Sequence, residues 1–208
     1  GWRTVEIAPA ERMPDGVFVE DAAVSFGDVA LITRPGAAER RRETVTVADG
    51  LRAQGVTLYE VEEPGTLDGG DVLQIGSTVY VGRSERTNAE GIRQLREVVS
   101  ALPGERTVVA VPVTGVLHLK SAATALPDGT VLVHPELLPD ASVFSRTLTV
   151  PEKSGVNVVV LDDATVLVPA SAPQTAVLIE DLGYRAVVVD LSEFEKVEGA
   201  ATCLSIRV

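Results

Sequence analysis

One cysteine and two histidines bound the nucleophilic chemistry open to this 208-residue chain. Cys203 stands in EGAATCLSIRV, an apolar context in which a lone cysteine is ordinarily an inert small hydrophobe. With no second thiol the chain forms no internal disulfide, redox pair or multi-cysteine metal site. His118, in GVLHLKS, alternates with Val116 and Lys120, so a strand there would put an imidazole and an ammonium on one face. His134, in VLVHPEL, precedes a proline at the end of an apolar run and reads as a turn residue.

Carboxylates are more plentiful and more clustered. Asp15, Glu20 and Asp21 fall together in PDGVFVEDAAV, around Val17, Phe18 and Val19. Acids in such a strand-like apolar run need internal partners or a bound cation. In TLDGGDV, Asp68 and Asp71 flank two glycines, which tolerate positive φ and let the backbone approach another segment or a ligand closely. Asp-Gly-Gly-Asp is by itself most often a turn. No further acids follow at calcium spacing, so it reads poorly as a metal loop. Arg34, Arg40, Arg41 and Arg42 in RPGAAERRRE read as a solvated helix start. In RSERTN, Arg83 and Arg86 precede Thr87 or Asn88, either able to cap the next helix.

These groups must be held by a globular core. Hydrophobic residues make up 45% and charged residues 23%, a folded composition with no low-complexity tract. Eighteen basic against thirty acidic residues give a net charge of −12, which argues against a nucleic-acid surface. No apolar run reaches the ~18 residues of a membrane span. GWRTVEIAPAERM lacks a signal-peptide layout, so a cytoplasmic protein without membrane contact is expected.

A loose repeat supplies the scaffold. ALITRPG, VYVGRS, VLVHPE and VLVPAS are short β-branched runs, each ending in a turn signal. After the first, second and fourth comes a helical stretch and then another strand-like run: AERRRETVTVADGLRAQG to VTLYEV, TNAEGIRQLREVVSAL to TVVAVPV, APQTAVLIEDLG to YRAVVVDL. Ile92, Leu95 and Val98 keep helical spacing, and Gly183 is a stop signal for the last helix. After the third run, PELLPDASVFSRTLTV has a poor helical pattern. Units spaced roughly 35–50 residues apart point to a repeat architecture, with a plain α/β layered domain as the alternative.

Taken together and in order, PDGVFVEDAAV, ALITRPGA, TLDGGDVL, VGRSERTN, GVLHLKS and EFEKVEGAATCLS resemble the dimethylarginine dimethylaminohydrolase family of the pentein, or guanidino-group-modifying, superfamily. The resemblance runs from about Asp15 to the end of the sequence. It implies one domain over residues 1–208: an α/β propeller of ββαβ units with five-fold pseudosymmetry. The family's first strand, a loop and most of a helix precede the segment that matches Gly1–Glu11, so the first unit is expected to be truncated and to lack a lid. Leu204 stands where mammalian relatives carry a second cysteine.

The resemblance also implies roles. Cys203 matches the nucleophile, His118 the general acid and base, and Asp68 the carboxylate that orients the histidine. Asp15, Glu20 and Asp21 match the group that holds the guanidinium, and Arg40 and Arg86 the pair that clamps the substrate carboxylate. Val197 matches the position whose carbonyl receives the α-ammonium. The implied reaction hydrolyses Nω-methylated arginines to citrulline and a methylamine through a thiouronium on Cys203, with no metal and no organic cofactor. Nearby acids would hold the free Cys203 as a thiol until a cationic substrate arrives. An arginine deiminase, an amidinotransferase and a catalytically silent arginine-analogue-binding domain are the alternatives. The partner is a small molecule, and outer helices left free in a ring of repeats are compatible with a homodimer.

Overall fold

The computed structural model describes residues 2–208. Four three-stranded sheets follow one plan, in which the first two strands pair antiparallel and the third returns parallel to the second. They are β1 (Ala23–Ser25), β2 (Val29–Ile32) and β3 (Thr57–Glu60); β4 (Val72–Ile75), β5 (Thr78–Arg83) and β6 (Thr107–Pro112); β7 (Ala123–Ala125), β8 (Val131–Val133) and β9 (Thr147–Thr149); and β10 (Val159–Asp162), β11 (Thr165–Pro169) and β12 (Arg185–Val189). The four recurring runs of the sequence coincide, within one residue at the start, with β2, β5, β8 and β11, the middle strand of each sheet. A middle strand is covered on both faces, which is why it reads as a continuous apolar run.

A parallel return requires a crossover, and three are helical: α1 (Thr44–Ala53), α2 (Ala89–Ala101) and α3 (Pro173–Asp181). Among the described residues no helix joins β8 to β9. Pro135 and Pro139 both fall in that connection, and each would cost a helix an N–H donor and clash with the preceding turn. A short α4 (Ser192–Glu195) follows β12.

The chain divides into two compact units, Gly1–Pro112 with Cys203–Val208, and Val113–Thr202. In the first, α2 lays Ile92, Leu95 and Val99 on Leu67, Val72, Val79 and Val81. Val99 completes this stripe, whereas Val98 is only partly buried beside it. Helix α1 sets Val47, Ala48 and Leu51 against Ala22, Ala23, Ala30 and Ile32. In the second unit Ala172, Ala176 and Ile179 pack on Leu126, Leu132, Val156, Val158, Val166 and Val168. Each fully buried Leu or Ile of these clusters contributes about 1.5–3 kcal/mol. Gly183 (φ 92°) ends α3 as its sequence suggests, with the Tyr184 N–H returning to the Ile179 carbonyl.

The first helix differs from expectation. Residues Ala38–Glu43 form a 3-10 helix, and regular α-helix starts only at Thr44. On a 3-10 turn residues three apart eclipse, so Arg40 and Glu43 point the same way, into the protein. The arginine-rich segment is therefore not simply a solvated helix start. No described helix is long and apolar enough to cross a membrane.

Candidate active site

Each sheet is entered through a 3-10 turn: Val19–Ala22 before β1, Gly69–Asp71 before β4, Leu119–Ser121 before β7 and Lys153–Val156 before β10. Thr202–Leu204 repeats the element after α4. The sequence-predicted chemistry rides on these turns. Glu20 and Asp21 lie within the first, Asp68 directly precedes the second, His118 directly precedes the third, and Cys203 is the centre of the last. Glu152, which leads into the fourth turn, instead accepts the Gln174 and Thr175 N–H groups and the Thr175 hydroxyl at the start of α3.

In the first unit the acids are buried and partnered. Asp21 accepts from Arg40 Nη1 at 2.6 Å and from the Gly70 N–H at 2.9 Å. Arg40 also donates through Nε to Glu43 at 3.0 Å and through Nη2 to the Asp15 and Phe18 carbonyls. Burial pulls the Arg40 guanidinium down, but Asp21 and Glu43 outweigh it and hold it above its ordinary value. Burial pushes the Glu43 carboxyl up, and the Arg40 hydrogen bond only partly offsets it. Glu20 is buried and Asp15 half-buried. Val17–Val19 is not a strand, because the chain turns tightly there to aim the acids inward.

Asp68 is fully buried and accepts from the Gly36 N–H at 2.8 Å, while its own N–H donates to Thr87 Oγ1. Neither Gly69 nor Gly70 lies in the left-handed region, and Gly69 serves close approach. A Cβ on Gly69 would sit 1.9 Å from the Glu20 carbonyl oxygen. Asp71, the second acid, accepts from Ser84 Oγ at 2.6 Å and Thr87 Oγ1 at 2.7 Å. Ser84 Oγ in turn accepts the Arg86 and Thr87 N–H groups. Arg86 is half-buried on this loop, and Asn88 is the residue that caps α2, accepting from the Gly91 N–H.

In the second unit His118 is buried at 3% exposure, but it stands ahead of a 3-10 turn and not within a strand. Leu119 is fully buried too, so the alternating face expected of a strand is absent. His134 is a turn residue as expected, its carbonyl accepting the Leu137 and Leu138 N–H groups. Val197 is exposed on the turn after α4, just before Glu198 at φ 62°. Cys203 is half-buried, which sets it apart from an inert core thiol.

Sequence reasoning missed three polar residues that hold these groups, Glu43, Ser84 and Asn157, and read Thr87 as a helix cap where it instead joins Asp71 to the Asp68 N–H. Asn157 shows no motif at all, although a polar residue within VNVVVLD is a signal that a buried amide has work there.

The arginine deiminase family pattern matches residues 5–154. Over all 208 residues the chain is 58% identical to the N(G),N(G)-dimethylarginine dimethylaminohydrolase of Streptomyces coelicolor, of which it covers 80%. Its identity to the Pseudomonas aeruginosa protein of the same name is 36% over 204 residues, covering 97% of this chain and 80% of that one. A solved structure of a mutant of the Pseudomonas aeruginosa enzyme, complexed with citrulline, superposes with a TM-score of 0.87 at 34% identity, over 96% of this chain and 79% of that chain. The repeated ββαβ units are thus those of a pentein-type α/β fold. The chain belongs to the arginine deiminase family and, within it, stands with the N(G),N(G)-dimethylarginine dimethylaminohydrolases.

Proposed function

We propose that this chain hydrolyses Nω-methylated arginines to citrulline and dimethylamine or methylamine. The carrying observation is 58% identity, over all 208 residues of this chain, to a dimethylarginine dimethylaminohydrolase. The reading takes residues 1–208 as one catalytic domain.

Asp15, Glu20 and Asp21 hold the planar guanidinium through its directional N–H donors. Arg86 and Arg40 supply the cationic pole for the α-carboxylate, Arg40 from within its buried contact with Asp21 and Glu43, and the Val197 carbonyl takes the α-ammonium. Cys203 thiolate adds to the guanidinium carbon to give a tetrahedral adduct. The bond from that carbon to the substituted nitrogen then breaks, His118 delivers a proton to the departing amine, and a thiouronium stays on sulfur. His118, oriented by Asp68, next takes a proton from water as it adds to the same carbon. Cleavage of the carbon–sulfur bond releases citrulline and restores the thiol. All atoms come from substrate and water, so no cofactor enters. A cytoplasmic setting, which keeps a lone thiol reduced, and a homodimer formed through outer helices complete the reading.

The test is a parallel assay of asymmetric dimethylarginine, monomethylarginine and arginine, scoring amine and citrulline. Methylated substrates turn over and Cys203→Ser abolishes citrulline formation. Ammonia released from arginine at equal or better efficiency would instead select a deiminase, the activity whose family name the matching pattern bears. Amine-dependent turnover would select an amidinotransferase, and binding without turnover a silent domain.

A further inference from the structure

Asn157 is 4% exposed, between the Lys153–Val156 turn and β10. Its Nδ2 donates to the Lys120 carbonyl at 2.9 Å and to Thr202 Oγ1 at 3.2 Å, and its Oδ1 accepts the Thr202 N–H at 3.0 Å. One amide thus engages both the turn that His118 directly precedes and the residue directly before Cys203.

The amide is itself braced. Thr124 Oγ1 donates to the Val156 carbonyl at 2.5 Å and accepts the Val158 N–H at 3.2 Å, gripping the backbone on both sides of Asn157. Thr124 lies on β7, which follows the Leu119–Ser121 turn after a single residue. All these bonds are within one compact unit. A side chain with two donors and an acceptor, all buried and aimed at two separate turns, costs more than a core aliphatic would unless every bond is made. Core packing alone does not call for an amide here.

We infer that Asn157 is a positioning residue for the reaction, holding the His118-bearing turn and Thr202, the residue before Cys203, in one frame. The inference rests on the proposed roles of His118 and Cys203. Misplacement by an ångström costs catalysis far more than binding, so the expected signature is a loss in kcat with little change in KM.

The experiment compares Asn157→Ala, Thr202→Val and Thr202→Ser in the full chain. Thr202→Val deletes the bond from Asn157 Nδ2 and keeps the N–H to Oδ1, so it serves even where Asn157→Ala fails to fold. Roughly tenfold loss of kcat in Thr202→Val, with KM within about threefold, is expected, together with wild-type behaviour of Thr202→Ser. An unchanged kcat in a folded Thr202→Val protein would overturn the inference, as would a loss matched by the unfolded fraction or an equal loss in Thr202→Ser. Cys203 alkylation by iodoacetamide gives a reading without substrate, and a rate changed at least about fivefold in Thr202→Val supports the same frame. Wild-type protein inert towards every guanidine overturns the proposed function, whereas an alkylation rate equal in wild type and Thr202→Val overturns this inference.

Discussion

Arg40 and Asp21 meet at 2.6 Å with side chains 9% and 4% exposed, a buried ion pair within the acidic cluster of the site. The guanidinium is shared with Glu43 at 2.8 Å, so one cation serves two buried carboxylates. Removing it leaves both without their counter-charge. Arg40→Ala is expected to cost about 3–5 kcal/mol in urea denaturation. Adding Glu43→Gln should recover part of that loss, because one of the stranded charges is then gone. A loss under about 1 kcal/mol in the single variant would mean that the pair contributes little.

Gly69 and Gly76 give a contrast between two kinds of glycine. At Gly69 the obstacle to a side chain is the Glu20 backbone carbonyl at 1.9 Å, which cannot swing aside. At Gly76 (φ 56°) nothing lies within 4 Å, and only the left-handed backbone resists substitution. Gly76→Ala should cost about 1 kcal/mol. Gly69→Ala should exceed it, at about 2–3 kcal/mol, and should also displace the acids, raising KM for the guanidinium substrate. Equal effects at the two positions would refute the close-approach reading.

The middle strands, α2 and α3 were legible because burial on both faces or on one stripe writes itself into hydrophobic spacing. The weak third crossover was legible too, through its poor helical pattern. The 3-10 turns were not. GVLHLKS and GVFVED look like strands because apolar residues cluster there, but they are buried by turns whose short period leaves no repeat to count. The inward turn of Arg40 was hidden for a related reason: an arginine among arginines carries no mark of burial until Asp21, nineteen positions away, is seen beside it. Asn157 is the extreme case, its partners standing 37 and 45 positions distant.

Glu152 ties stability to pH in the second unit. Partial burial pushes its carboxyl up, but the Thr175 hydroxyl and the Gln174 and Thr175 N–H groups outweigh it and hold it below the ordinary value. A carboxyl lowered in the folded state stabilises it fully above the unfolded value, and that contribution is lost as pH falls through the folded one. Measured against the intrinsic rate, which itself slows as pH falls, amide exchange at the start of α3 should therefore lose protection below about pH 4 in wild type. Glu152→Gln should flatten that dependence, with a difference under about 1 kcal/mol after solvent screening. Other lowered carboxyls, such as Glu136 beside Lys153, titrate in both proteins and cancel in the comparison. Identical pH profiles would remove Glu152 from the account.

Asp71 and Ser84 give the sharpest handle on substrate recognition. Ser84 Oγ donates to Asp71 at 2.6 Å and accepts the Arg86 N–H at 3.0 Å, so the buried carboxylate sets the hydroxyl and the hydroxyl sets the backbone of the arginine. Thr87 links the same carboxylate to the Asp68 N–H. Ser84→Ala removes the acceptor of the Arg86 and Thr87 N–H groups and leaves the Thr87 hydroxyl on Asp71. If Arg86 meets the α-carboxylate of the substrate, the variant should raise KM for monomethylarginine roughly tenfold with kcat within about threefold. An analogue lacking the carboxylate should bind wild type and variant equally, since it never used Arg86. Were KM for both compounds to rise together, the loop would be shaping the whole pocket and not one end of the ligand. Asp71→Asn should act on both arms, adding a stability loss of about 1–3 kcal/mol because a neutral amide oxygen is a weaker acceptor than the charged carboxylate oxygen that the two hydroxyls share.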